Sequence, residues 1–247
     1  MLDLINRDRT ANGLLPVQWD ETLTEAGRRH VADIVTHSYF SHWGRDGLGP
    51  EHRYTLAGGQ HSAAENLHFF EYTYEGGRGA PIEDWDAVIR NAQTGLMNSP
   101  GHRDNILTAA HTHVGIGMAY NAITGRFALA QEFGNHYVAL DYPLPTEMSL
   151  NGIVQIAGEI QGIGIDNILL NLAFEPFPQP LTLEELAQTN TYQTSAESID
   201  TFRIDTPFSE QITLNHEERL GIYHIRVFID INGDQALVLD HSIWVRQ

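Results

Sequence analysis

SPGHRDNILTAAHTHVGIGMAYNAITGRFALAQEF, residues 99–133, places a helix start, a polar turn and two strand-like runs in direct succession. Ser99 stands as an N-cap with Pro100 at the first helical position, where a missing N–H costs nothing, so a short helix to Leu107 is expected. His113 to Tyr120 and Arg126 to Phe133 read as strands, and Asn121 to Gly125 between them reads as a hairpin turn. Upstream, Pro81 is positioned to open a helix whose apolar face is Ile82, Trp85, Ile89, Ala92 and Leu96. Asp20 is placed as the N-cap of another helix, running to about His37, with Leu23, Ala26, His30 and Ile34 at helical spacing. Met1 to Ala11 forms a first short helix, ended by Asn12-Gly13.

From Ser38 to Gly79 the pattern is loop-rich, punctuated by Gly44, Gly47, Gly49-Pro50, Gly58-Gly59 and Gly76-Gly77. A short helical piece is expected near Ser62 to Phe69. Helices flanking a hairpin in this order predict an α+β architecture, a sheet covered by helices. At Asp141 to Pro145 the run Tyr-Pro-Leu-Pro breaks the pattern, giving expected domains of residues 1–142 and 143–247. In the second, Gly152 to Ile160, Asn167 to Phe174, Gln211 to Leu214, Gly221 to Ile231 and Ala236 to Val245 are strand-like, and only Leu181 to Ala187 reads as helix. That spacing predicts an all-β sandwich of immunoglobulin or fibronectin III style.

Composition narrows the function. The chain of 247 residues carries a net charge of −18, has no cysteine, and all of its 14 basic residues are arginine. Repulsion from polyanions argues against nucleic acid and anionic lipid surfaces as partners. Disulfides, thiolate metal sites and cysteine nucleophiles are excluded. No apolar run approaches the length of a membrane span, and MLDLINRDRT lacks the basic-then-apolar order of a signal peptide. Ser41 and Ser62 have no glycine elbow, and there is no phosphate loop or dinucleotide fingerprint. Of the 13 histidines, ten precede Tyr142, and histidine is the commonest metal ligand and neutral-pH base.

Four segments, SYFSH (38–42), AAENL (63–67), SPGHRDNIL (99–107) and QEFG (131–134), stand in an order that resembles the CAP superfamily (cysteine-rich secretory protein, antigen 5, pathogenesis-related 1) in its bacterial SCP type. The resemblance runs from Ile5 to Asn135 and implies an α-β-α sandwich. It also implies a cleft shared by His42, Glu65 and His102, with alanine replacing the glycine of the family's Gly-Glu-Asn segment. Two imidazoles and a carboxylate suit zinc or another divalent cation, with His42 and His102 as ligands; a bracing role for the same three residues is the other reading. The family's second acid maps to Ser99 and its tryptophan to Leu96, so a paired-carboxylate mechanism lacks one partner. Glu132 is a further cleft candidate from the strand side.

The resemblance implies a secreted binding module holding a cation, small ligand, lipid or extracellular polymer, with the sandwich as an attachment unit and a leader expected upstream of Met1. The alternative is a metal-dependent, protease-like hydrolase using Glu65 as general base. A third reading leaves the first domain a scaffold. Weaker candidates are His111 and His113, read as surface residues, and Arg53 and Tyr54, read as loop framework. Asp230, Asn232 and Asp234 resemble a calcium loop, but Asn232-Gly233 is better read as a hairpin turn.

Overall fold

The computed structural model describes residues 1–247 apart from 75, 76, 80, 163, 190, 191, 193–195 and 232. The chain divides into two compact units, neither continuous in sequence. One comprises residues 1–50, 64–133 and 180–192, the other residues 51–63, 134–179 and 193–247.

The first unit opens with α1 (Leu2–Ala11), β1 (Gln18–Trp19) and α2 (Glu21–His37). Asp20 caps α2 as its sequence demands, its carboxylate accepting from Leu23 N at 2.7 Å. The helix stops at Ser38, which takes the left-handed conformation at φ 67°. Next come α3 (Pro50–Leu56), all but its first residue part of the second unit, and then β2 (Ser62–Glu71). The helix expected near Ser62 is therefore a strand. Ala63, Glu65, Leu67 and Phe69 alternate with Ala64, Asn66, His68 and Phe70 along it, a period of two that each face of a sheet can use. A short hairpin, β3 (Thr73–Tyr74) and β4 (Gly77–Arg78), leads to α4 (Trp85–Asn98) and α5 (Pro100–Ile106). α4 starts after Asp84, not at Pro81, because Asp84 supplies the capping carboxylate to Ala87 N at 2.8 Å. Trp85, expected on its apolar face, is 42% exposed.

The hairpin is present as β5 (His113–Asn121) and β6 (Arg126–Asn135), and the sheet order is β1-β5-β6-β2. β6 is buried almost throughout and decides the layering. Phe127, Leu129 and Phe133 point into a core with Ile5, Ala92, Leu96 and Ile106. Ala128 and Ala130 point the other way, into a core with Val31, Ile34 and Leu67. The sheet thus has helices on both faces. On the α2 face the side chains are small because the helix lies against the backbone: a Cβ on Gly117 would come 2.3 Å from the carbonyl carbon of Gly27.

The second unit holds β7 (Val138–Leu140), β8 (Glu147–Ser149), β9 (Ile153–Ile160), β10 (Ile165–Glu175), then, after α6 (Leu183–Gln188), β11 (Glu197–Arg203), β12 (Phe208–Thr213), β13 (Gly221–Ile231) and β14 (Asp234–Arg246). They form a five-stranded sheet, β11-β10-β13-β14-β8, and a three-stranded sheet, β12-β9-β7. Alternate residues of both sheets, among them Ile156, Ile212, Leu170, Ile225 and Val238, enter one hydrophobic core. β13 and β14 pair antiparallel out to Ile231 and Asp234, the hairpin expected there; Asn232 itself lies outside the described residues. α6 belongs to the first unit, where Leu186 is buried against the α2 core, and Thr182 with Glu185 closes a capping box at its start. No described helix is long and apolar enough to cross a membrane.

Candidate functional site

In the first unit β2 carries Glu65 against the segment that follows α2. His42 Nδ1 donates to Glu65 Oε1 at 2.8 Å, with the Glu65 side chain 1% exposed and that of His42 21% exposed. The carboxylate orients the His42 ring through Nδ1, so Nε2 is the nitrogen that a metal would take. His30, one turn above Gly27 on α2, donates from Nε2 to the Ser41 carbonyl at 2.9 Å and lies 4.0 Å from Glu65 Oε1. It thereby pins the backbone next to His42. Burial lowers the pKa of His102, and His42 nearby lowers it further. Burial and the proximity of His102 likewise lower that of His68. The downward shift favours neutral His102, the form in which an imidazole binds a metal.

The helix that carries His102 is held by buried amides. Asn66 donates to the His102 carbonyl at 3.1 Å and to Gln131 Oε1 at 3.2 Å, and accepts from Asn105 Nδ2 at 3.0 Å. Gln131 continues the chain to Gln93 at 2.7 Å and Gln93 to Asp8 at 2.8 Å. The sequence reading does not single out Asn66, Asn105, His30 or His68 as site residues. A signal exists for the first two, which sit inside AAENL and SPGHRDNIL beside the named residues.

Glu132 lies on the α2 face of β6, 1% exposed, with its side chain over Gly27. Ser99, where the family's second acid maps, is the N-cap of α5 and makes no capping hydrogen bond. His111 is not a surface residue: it is 6% exposed, stacks on Phe133 at 4.8 Å and bonds Asn105 Oδ1 at 2.9 Å. Ser41 Oγ pairs with Thr189 Oγ1 at 2.5 Å and caps Trp43 N.

A second His/Glu group, unforeseen in the sequence, lies inside the second unit. His52 on α3, Glu175 at the end of β10 and His224 on β13 are all buried, with one ligand atom from each lying within 4.8 Å of the others, so the group could hold a metal. His52 Nε2 donates to Glu175 Oε1 at 2.5 Å, and His224 Nε2 is 3.3 Å from the same oxygen. Behind His224, Nδ1 donates to Asp240 at 2.9 Å, and Arg226 holds the other Asp240 oxygen at 2.9 Å. Burial opposes a charge on His224, but the Asp240 and Glu175 carboxylates outweigh it and push its pKa up to about 9. Burial raises that of Glu51. Glu175 is held below the usual carboxylate range: burial would raise it, and the two histidines outweigh burial.

The cysteine-rich secretory protein family model, CAP, matches residues 2–138, more than half of the chain. The chain belongs to the CAP family. Two Bacillus subtilis (strain 168) relatives match about half of this chain each. The uncharacterized membrane protein YlbC is 31% identical over 130 residues, covering 51% of this chain and 33% of its own length. The uncharacterized protein YkwD is 31% identical over 118 residues, covering 47% and 40%. The match thus spans well under half the length of either relative. Among solved structures, an extracellular SCP-domain protein of Bacillus anthracis str. Ames shows 27% identity with a TM-score of 0.41, covering 53% of this chain and 38% of its own. An outer surface protein of Borrelia burgdorferi shows 14% identity and a TM-score of 0.42, covering 53% and 86%. His42, Glu65, His102 and Glu132 all fall inside the stretch matched by the CAP model.

Proposed function

We propose that the chain is an exported CAP binding module whose His42–His102 cleft takes a divalent cation of the zinc type, or a small ligand in its place. The strands of residues 143–247, read as an immunoglobulin- or fibronectin III-like sandwich, would serve as its attachment unit. The observation that carries this reading is the 2.8 Å bond from His42 Nδ1 to the buried Glu65. It is the carboxylate–histidine arrangement that orients metal-binding imidazoles. In this reading His42 Nε2 and His102 hold the cation and Glu65 aims His42. A bound cation would supply Lewis acidity and a water position. Because Glu65 is buried and already engaged, it is poorly placed to take a proton from a substrate, which supports binding over hydrolysis. Export rests on the family description.

Isothermal titration of zinc at pH 7.5 tests the cleft. His42→Ala and His102→Ala should each weaken binding at least tenfold, and His111→Ala should leave it within about twofold, since His111 is committed to Phe133 and Asn105. Affinity should fall as pH drops below roughly 6.5, the ordinary histidine value, because protons compete for the ligand nitrogens. The lowered pKa of His102 delays its share of that loss to lower pH. Equal losses in His111→Ala and His102→Ala would remove the reading.

A further inference from the structure

Nothing in the cleft accounts for the ionisable groups buried in the second unit. His52, Glu175 and His224 are at most 4% exposed in their side chains. Three carboxylates, Glu51, Glu175 and Asp240, lie buried there beside Arg226, and burial raises the pKa of Glu51 toward its neutral form. Glu175 and Asp240 are offset by Arg226 together with either a proton on His224 or a bound cation.

Three observations select between these. Each histidine has a carboxylate at Nδ1, Asp240 at 2.9 Å for His224 and Glu51 at 3.5 Å for His52. Both turn Nε2 toward the same Glu175 oxygen, and the carboxylate hydrogen-bonded behind His224 is the outer shell that metal-binding imidazoles use. His224 Nε2 is buried with no hydrogen bond among the described residues, and both oxygens of Glu51 are buried without one as well. Finally, one of the spacings fits, within a group whose ligand atoms all lie within 4.8 Å of one another. Tetrahedral zinc with bonds of about 2.0–2.1 Å holds its ligand atoms about 3.3 Å apart; His224 Nε2 and Glu175 Oε1 are 3.3 Å apart. His52 Nε2 and Glu175 Oε1, now bridged by a proton at 2.5 Å, open by about 0.8 Å when that proton leaves and the metal enters.

We propose that His52, Glu175 and His224 form a closed site for one structural divalent cation of the zinc type, fastening helix α3 to strands β10 and β13 within the second unit. The site is separate from the His42–His102 cleft and stands or falls without it. Three protein ligands leave one tetrahedral position for the second Glu175 oxygen or a water, and the burial of all three makes loading part of folding.

The test uses the full chain with the cleft removed, His42→Ala/His102→Ala, unfolded in denaturant with chelator and refolded with or without zinc. After dialysis, one zinc per chain should remain by mass spectrometry, and the zinc-refolded protein should melt several degrees above the metal-free one, since a ligand bound only to the native state raises Tm. Cobalt in place of zinc should give the visible absorption of a four-coordinate site. With the cleft intact, His52→Gln and His224→Gln should each lose this retained ion. If either fails to fold, the cobalt spectrum of the cleft-deleted protein decides alone. A cleft-deleted protein that dialyses to zero metal, melts at one temperature in both preparations and gives no cobalt spectrum overturns the site and leaves a proton-held network. The titration of the cleft variants is read separately, so failure of one site is not mistaken for failure of the other.

Discussion

Asn66 carries three side-chain hydrogen bonds from a position 1% exposed, and they end on α5, β6 and the backbone of His102 itself. Replacing it with alanine leaves the Gln131 oxygen, the Asn105 amide and the His102 carbonyl short of a partner in the interior. Unfolding in urea should show a loss of about 2–4 kcal/mol, the cost of stranding buried polar groups, with zinc affinity in the cleft falling alongside as α5 loosens. A variant as stable as the parent and unchanged in zinc binding would mean that the network does not position His102. Residues at this scale are only partly legible in the sequence. His42, Glu65 and His102 stand out because a charge or imidazole in a short segment is a local signal. Asn66 and Asn105 are uncharged amides, and nothing in a string of letters says that their partners lie across the sheet. His52 and Glu175 are 123 residues apart, so the pair has no local signature at all.

At the scale of elements, what periodicity and capping control is legible, and what tertiary packing controls is not. Asp20, Ser99-Pro100 and the Asn121–Gly125 turn place α2, α5 and the β5–β6 hairpin close to their observed bounds. β2 escapes a reading by propensity because Ala63, Ala64, Glu65 and Leu67 are good helix formers, and pairing with β6 overrides that preference. Glycines within VGIGMAY have a role that only the packing shows. A Cβ on Gly117 would meet the Gly27 backbone at 2.3 Å, whereas one on Gly101 of α5 would meet nothing within 4 Å. Gly117→Ala must push α2 off the sheet and should cost about 3 kcal/mol, as overpacking does. Gly101→Ala should be neutral or stabilising by up to about 1 kcal/mol. Equal midpoints for the two variants in urea would show that α2 yields freely and that the close contact does not set the layer spacing.

For the whole molecule, the order of the chain and the order of packing differ, and this governs what a cut at the proline-rich stretch 143–145 does. Residues 51–63 precede that stretch yet belong to the compact unit built mainly from residues after it. Thr55 Oγ1 accepts from Ser242 N at 3.3 Å, and His52 meets Glu175. Leu186, which follows the stretch, is buried on the α2 core. A protease site inserted after Tyr142 should therefore be cut without separating the pieces, which should co-elute on size exclusion until denaturant is added. Arg53 reports the reason. It lies in α3 between His52 and Tyr54, which are 0% and 2% exposed, so trypsin reaches it only when that helix opens. In the intact and the nicked protein, cleavage after Arg53 should be slow. In a fragment of residues 1–142 alone, α3 keeps Glu51, His52 and Tyr54 without the strands that cover them, so cleavage there should quicken at least tenfold. Nicked halves that separate under native conditions, or an Arg53 site equally slow in the isolated fragment, would show that α3 holds its place without β10, β13 and β14. The stretch at 143–145 would then be a linker between independent domains.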